Sequence, residues 1–414
     1  MTELATVQCC IAGGGPAGMM LGLLLARAGV EVLVLEKHAD FLRDFRGDTI
    51  HPSTLEVMHE LGMLDEFLRL PHEKVYELRA QVGDVRVTIA DFRGLPTHCR
   101  FVAFMPQWDF LDFLARRAGA WPTFRLRMRA EASGLLERDG RVVGLEAFTP
   151  EGPLRVHADL VVAADGRDSI VRDRAGLPVQ RFGAPMDVLW FRLPRGPGDP
   201  ATPTGRFEAG RIFIALNRGD YWQCGFVIAK NSLEALRARG LEAFRAEVAR
   251  LAPYAAERVA EIRRWDDVKL LTVQVDRLRR WSRPGLLCIG DAAHAMSPVG
   301  GVGINLAIQD AVAAANLLAV PLAEGRVTPE DLRAVQRRRE LPTRLTQRLQ
   351  LLIQRRVIAR VLQTGAPLAA PLVLRVLAGV PAVRRLTGRL VGLGARAEHV
   401  HSPARPAART TASA

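Results

Sequence analysis

Apolar positions change their period in a regular order along this chain. Val7–Ala12 is a short unbroken apolar run, the pattern of a strand buried on both faces. A glycine-rich stretch breaks it, the helical run Ala17–Ala28 follows, and a second apolar run, Val30–Leu35, ends in Glu36. Strand, turn, helix and strand in this order make a βαβ unit, the start of a doubly wound parallel sheet. Pro52–Leu70 reads as helical, with Leu55, Met58, Leu61 and Leu64 near one face. From Val75 to Phe104, and again from Phe182 to Val275, short alternating runs such as Arg206–Leu216 and Tyr221–Ala229 dominate. These two stretches predict one antiparallel sheet assembled from separated pieces.

Between those stretches lie a helix around Trp108–Ala120 and a strand, Ala158–Ala164. After them come the strand Gly285–Ile289 and a long helix from Gly303 to Leu318. Arg337–Leu362 is strongly helical, and its stripe of Leu341, Leu345, Leu349, Leu352 and Ile353 is expected to pack on the preceding domain. The tail beyond His401 is rich in Pro, Ala, Ser and Thr and is expected to be disordered. The expected organisation is therefore α/β. A nucleotide-binding domain takes residues 1–74, 105–180 and 276–330, and an antiparallel-sheet substrate domain takes 75–104 and 181–275. A helical region, 331–400, and the tail, 401–414, complete the chain.

Composition changes this picture little, but charge does. At 414 residues the chain has room for two or three domains. No apolar run reaches the roughly 18 residues of a spanning helix, and Met1–Gln8 lacks a signal-peptide layout. Cys9, Cys10, Cys99, Cys224 and Cys288 have no metal-ligand spacing, so no metal site is expected and a reduced, cytoplasmic protein is. The net charge of +13 is confined to one end: from Asp331 onward there are 16 Arg against Asp331, Glu340 and Glu398. The remainder holds 41 basic and 41 acidic groups, which argues against a nucleic-acid partner.

Three strand-end motifs carry the candidate chemistry. Gly13-Gly14-Gly15-Pro16-Ala17-Gly18 joins the first strand to its helix. Gly13 permits the turn, Gly15 lets backbone approach a pyrophosphate, and Gly18 lets helix and strand pack closely. The helix N-terminus that begins at Pro16-Ala17 offers the free N–H groups that follow the proline and positive potential, and Glu36 stands where a ribose hydroxyl would sit. The second motif is Asp165-Gly166-Arg167 running to Arg172, and the third is Gly290-Asp291 running through Pro298 to Gly303-Ile304-Asn305. Taken singly, Asp-Gly and Gly-Asp are commonplace turns. The fingerprint alone does not separate FAD from NAD.

In this order the trio resembles the FAD-binding signature of the para-hydroxybenzoate hydroxylase family of flavoprotein monooxygenases, whose core is Rossmann-like. Arg46 with His51-Pro52-Ser53-Thr54-Leu55-Glu56, and Met105-Pro106-Gln107, are similar to two further segments of that family. The likeness spans about residues 6–320. It implies that Gly13, Gly15, Pro16, Ala17 and Gly18 hold the FAD pyrophosphate, and that Glu36 and Lys37 lie at the adenosine ribose. It further places Arg46 and Gln107 between phosphates and ribityl chain, Asp291 at the ribityl or pyrophosphate region, and Asp165 near both FAD and nicotinamide nucleotide. Pro298, Gly303, Ile304 and Asn305 would face the flavin N1/O2 edge.

The implied activity is hydroxylation of a phenol-like or polycyclic aromatic, using NADH or NADPH and O2, through a flavin C4a-hydroperoxide. No side-chain triad is visible, so no catalytic residue is assigned. His294 is expected to be positional, His51 to sit at a helix start, and only one or two of Trp190, Phe191, Phe213, Trp222 and Phe226 to line a substrate cavity. One rival is a flavin reductase, for example of isoprenoid double bonds. Another is a halogenase, but its Trp-x-Trp-x-Ile signature is absent and Lys74 stands in Pro71-His72-Glu73-Lys74. A third is a flavin-binding or membrane-surface protein acting through its basic C-terminal region. Weak membrane contact there is the alternative to a packed helix.

Overall fold

The computed structural model describes residues 3–42, 49–200, 202–365 and 379–405. It opens with β1 (Glu3–Ala12), α1 (Pro16–Arg27) and β2 (Val32–Glu36). β3 (Thr49–Ile50), α2 (Pro52–Glu60) and α3 (Leu64–Phe67) follow, so the expected single helix from Pro52 breaks at Gly62, which has φ +67°. Next come β4 (Glu73–Val75), β5 (Glu77–Val82), β6 (Val85–Asp91), β7 (Val102–Phe104) and α4 (Gln107–Ala118). The chain continues through β8 (Phe124–Met128), β9 (Glu131–Arg138), β10 (Arg141–Thr149), β11 (Gly152–Ala163), α5 (Ile170–Arg174) and β12 (Val179–Arg181).

The segment after β12 contains β13 (Met186–Pro194), β14 (Thr204–Glu208), β15 (Arg211–Asn217) and β16 (Tyr221–Ala229). The apolar alternation from Arg206 to Leu216 is therefore a hairpin, turned at Gly210 with φ +72°. Two helices, α6 (Leu233–Ala238) and α7 (Leu241–Leu251), stand where strand-like alternation was expected. The helical spacing of Phe244, Val248 and Leu251, all buried, accounts for α7. β17 (Lys269–Leu271), β18 (Asp276–Leu278), β19 (Ser282–Arg283) and β20 (Leu286–Cys288) lead into α8 (Gly303–Ala323) and α9 (Pro329–Ile353). A π turn over Gln354–Ile358, α10 (Ala359–Gln363) and α11 (Pro381–Gly392) end the regular structure.

The main sheet runs β19-β20-β11-β1-β2-β8, with β20, β11, β1, β2 and β8 parallel; β10 adds antiparallel to the first part of β11, and β9 antiparallel to β10. Its core is the near-continuous apolar surface of β1, β2, β11 and β20 packed against α1 and α8. α8 with its preceding turn is the one helix among the described residues long and apolar enough to cross a membrane, and it is mostly buried in this core. A second sheet, β17-β13-β16-β15-β14-β5-β6, is antiparallel apart from β14 beside β5. It does join the two separated pieces. A small third sheet runs β3-β7-β4.

The leucine stripe of α9 is not where it was expected. Leu341, Leu345, Leu349 and Leu352 are 61, 43, 42 and 54% exposed. The buried face of α9 instead carries Leu332, Val335, Arg339, Pro342, Thr343, Gln347 and Gln350. The reason is chemical. This face meets backbone groups of β18 and of the 295–299 loop that have hydrogen bonds to fill, and glutamines fill them where leucines would not. The expected disordered tail also starts too early. Ser402 is buried, Arg27 donates to its carbonyl, and Arg405 N–H donates to Arg27 O at 2.9 Å; residues 406–414 lie outside the described ones.

Candidate functional site

The three motifs meet because they end three neighbouring strands. β20, β11 and β1 are adjacent and parallel, so Gly290-Asp291, Asp165 and Gly13 leave the sheet at the same edge. A Cβ added to Gly13, which has φ +106°, would lie 2.3 Å from Ala164 O, and one on Gly18 would lie 2.0 Å from Gly13 O. Both glycines are required by the fold itself. Gly15 differs: an added Cβ would meet nothing within 4 Å. The turn is pinned by Glu36, buried at the end of β2, whose Oε2 accepts from Gly14 N–H at 3.0 Å. Its Oε1 accepts from His38 N–H at 3.0 Å.

These residues fit an FAD on the structure's own terms. α1 starts at Gly15 with Pro16 in its first turn and no side-chain cap, leaving its free N–H groups to a phosphate. α8 also starts without a side-chain cap, and an added Cβ at Gly303 would likewise meet nothing within 4 Å. Two helix N-termini thus present positive potential to open space on one side of the sheet. The Asp291 carboxylate is 30% exposed and accepts from Arg167 Nη2 at 3.3 Å, so part of it is available to a polyol.

Other expected site residues serve the scaffold. Asp165 accepts from Ser169 Oγ at 2.5 Å and from Val171 N–H at 3.2 Å, organising the first turn of α5, and burial raises its pKa. Asn305 Oδ1 accepts from His51 N–H at 3.0 Å and Thr54 Oγ1 at 2.7 Å, locking α2 to α8 and leaving only its backbone to a ligand. Ile304 is buried, Pro298 caps the short turn before α8, Gln107 is half-buried at the start of α4, and Lys37 is exposed. Arg46 lies outside the described residues.

The 298–305 loop is held from beneath by groups that motif reading did not single out. Gln350 Nε2 donates to Ser297 O and Val299 O at 3.0 and 2.9 Å. Gln354 donates to Ser297 Oγ at 2.6 Å, and Gln347 to Asp276 O and Ala295 O at 2.6 and 3.1 Å. Beside this seam is a buried ionic chain. His294 Nε2 lies 2.5 Å from Asp310 Oδ2, which also accepts from Gly290 N–H at 3.1 Å. Arg339 Nε donates to Asp310 Oδ1 at 2.9 Å and its Nη1 to Glu398 Oε1 at 3.3 Å. All four side chains are about 1% exposed or less. One signal was in the sequence: Asp310 is the single acid in the apolar run Ile304–Leu318.

Nucleophiles and metal ligands do not gather here. All five cysteines are free and buried, and burial pushes the Cys10 thiol up to about 12. Among the described residues no group of His, Cys, Asp or Glu has a metal-binding arrangement. His294 is locked on Asp310, and His51 Nδ1 pairs with Val391 O at 2.7 Å while burial lowers its pKa to about 4. Neither is presented to a ligand as a base. Of the five sheet aromatics, Phe191, Phe213, Trp222 and Phe226 face α7, away from the site. Trp190 alone turns the other way, into an apolar group with Val188, Ile212, Val227 and Val299.

Comparison with known proteins agrees with this geometry. Residues 6–348 match the family model described as an FAD binding domain. A 6-methylpretetramide 4-monooxygenase of Streptomyces rimosus is 35% identical over 93% of this chain and 92% of its own length. A 12-dehydrotetracycline 5-monooxygenase/anhydrotetracycline 6-monooxygenase from the same species is 31% identical over 78% of this chain and 64% of its own. The solved structure of a probable FAD-dependent monooxygenase from Pseudomonas aeruginosa superposes with a TM-score of 0.72, at 22% identity, over 86% of this chain and 97% of that one. This last likeness concerns the fold.

Proposed function

The chain belongs to the FAD-binding-domain family of flavoprotein monooxygenases, and from that premise we propose that its substrate is a phenol-bearing, fused polycyclic aromatic. The enzyme is an FAD-dependent monooxygenase that uses NAD(P)H and O2. The observation that carries the substrate reading is the face of the second sheet turned toward Val299. Trp190, partly exposed, folds over Gly225 on the next strand, where an added Cβ would come within 3.1 Å of its ring, while Val188, Ile212 and Val227 on the same face are buried with Ile358 and Val361. A partly exposed indole packed over a glycine suits a planar ring system better than a small charged acid. By strand alternation the same face turns polar at Gln223 and Tyr221, the division a polycycle with phenolic edges requires. The 35% identical relative acts, by its name, on a pretetramide, which is consistent with this reading.

When bound, an FAD would supply hydride acceptance from the nicotinamide nucleotide and O2 activation. The rest falls to the chain. We assign the pyrophosphate to the N-terminus of α1 over Gly15, and the polyol to the free part of the Asp291 carboxylate. The N-terminus of α8 at Gly303, Ile304 and Asn305 would set its positive end against the pyrimidine edge and stabilise negative charge there. The Trp190 indole would orient the aromatic and exclude water. We divide the chain as the pattern suggests, with FAD on the parallel sheet and substrate on the antiparallel one. The enzyme is read as cytoplasmic, with weak contact to a membrane surface.

The test is NADH or NADPH oxidation by the purified yellow protein against four-ring naphthacenes and against simple phenols, with labelled O2. Tetracyclic substrates should accelerate flavin reduction and gain one labelled oxygen. Turnover of monocyclic phenols with no response to polycycles would overturn the substrate reading.

A further inference from the structure

The exposed face of α9 joins two features the monooxygenase activity does not use. Leu341, Leu345, Leu349 and Leu352 recur every three or four residues and so form one row along the helix, which Val357 continues beyond the π turn at 46% exposure. At about 100° per residue, Arg337, Arg344 and Arg348 fall along the same side. Arg348, Arg355, Arg356 and Arg360 are exposed and have no acidic partner among the described residues. Soluble proteins rarely leave such an apolar row uncovered without a use for it.

We propose that this face of α9 docks on an anionic lipid surface, with the leucines entering the acyl boundary and the arginines meeting lipid phosphates. Charge selects this occupant. A second copy of the chain docked face to face would bring the same unpaired arginines against each other. Leucines flanked by arginines are the layout of a helix lying in a membrane interface. The position on the fold is apt as well. Ile353 and Ile358, on the inner side of the same turns, pack in the apolar group that holds Trp190 and Val299. A greasy aromatic leaving the lipid beside Leu352 and Val357 would thus start next to the indole assigned to the substrate.

The holoenzyme should co-sediment with vesicles of phosphatidylcholine and phosphatidylglycerol, and binding should fall steeply with salt. Each neutralised arginine should weaken partitioning about fivefold, so Arg348→Gln with Arg355→Gln and Arg356→Gln should weaken it on the order of 100-fold. Leu341→Gln, Leu345→Gln, Leu349→Gln and Leu352→Gln together should abolish it while FAD content stays unchanged, because these side chains are 42–61% exposed and face away from the FAD sheet. No binding above that of a soluble control would overturn the proposal. So would a concentration-dependent dimer, seen by light scattering and dissolved by the leucine variant, in a protein that ignores vesicles. Because no substrate is present, either result is independent of the substrate reading.

Discussion

Replacing Arg339 with Met tests whether the buried ionic chain supports the Gly290-Asp291 turn. The guanidinium is 1% exposed and bonds Asp310 at 2.9 Å, Glu398 at 3.3 Å and Arg396 O at 3.3 Å. Methionine keeps much of the packing but leaves Asp310 with His294 and Gly290 alone, and Glu398 with Arg338 alone. Burial by itself would raise the Asp310 pKa, yet His294 and Arg339 hold it below its ordinary value, so the change removes one of the two groups that keep the carboxylate charged. Removing one partner of a buried pair costs about 3–5 kcal/mol. Unfolding entropy of about 2.1 cal/mol/K per residue, over 414 residues, amounts to ~0.9 kcal/mol/K. The melting temperature should therefore drop by about 3–6 °C, and FAD should be released at lower denaturant than in the parent. Arg348→Met, on the exposed side, should shift it by less than about 1 °C. Adding Asp310→Asn to Arg339→Met should recover part of the loss, since the stranded charge is gone. An Arg339→Met protein that melts within a degree of the parent would refute the account.

Gly15→Val should leave a folded but colourless protein, because its side chain has room in the chain and none beside a pyrophosphate; Gly18→Val should fail to fold, and circular dichroism with FAD titration separates the two. Asp291→Ala should weaken FAD affinity by about ten- to 150-fold, the worth of one hydrogen bond to a charged group, measured by flavin fluorescence. His51 stays neutral in the fold down to about pH 4 against an ordinary 6.5, so stability is complete above 6.5 and is lost as pH falls through 4. A His51→Gln variant should flatten that slope in melting scans, and an unchanged slope would contradict it. Glu73 has the opposite sign. Burial raises it to about 7 against the pull of Arg218 and Arg195, so stability falls as pH climbs from 4.5 through 7, and Glu73→Gln should help at pH 8 more than at pH 5.

The parts of the site legible in the sequence are those where chemistry demands one residue type. Gly13 and Gly18 admit no Cβ, Gly15 must leave space, and Asp291 must stand at a strand end, so these read directly from their spacing. Side-chain direction was less legible. Trp190 and Phe191 are adjacent aromatics in one strand, and only the pairing of β13 with β16 and the placement of α7 show which faces the site. Asn305 and Asp165 illustrate a further limit. Both occupy motif positions, yet their side chains are spent on Thr54, His51, Ser169 and Val171, which no spacing rule reveals.

The reversal on α9 has the most general cause. Reading amphipathicity assigns the apolar stripe to the interior, on the premise that the interior is apolar. The surface beneath α9 is not. Between Asp276 and Val299 the chain runs past the sheet with carbonyls at Asp276, Ala295, Ser297 and Val299 that need donors. A helix presenting leucines would leave these groups dry and unpaired, at about 1–3 kcal/mol each. Arg339, Thr343, Gln347, Gln350 and Gln354 recur at four, four, three and four residues, a polar row with helical spacing as regular as that of the leucines. That row faces the loop that leads to Gly303, and it fixes the backbone on which the flavin edge is expected to rest. A helix whose buried face is made of glutamines is therefore a sign that it supports irregular backbone, and its leucines are then free to meet something else.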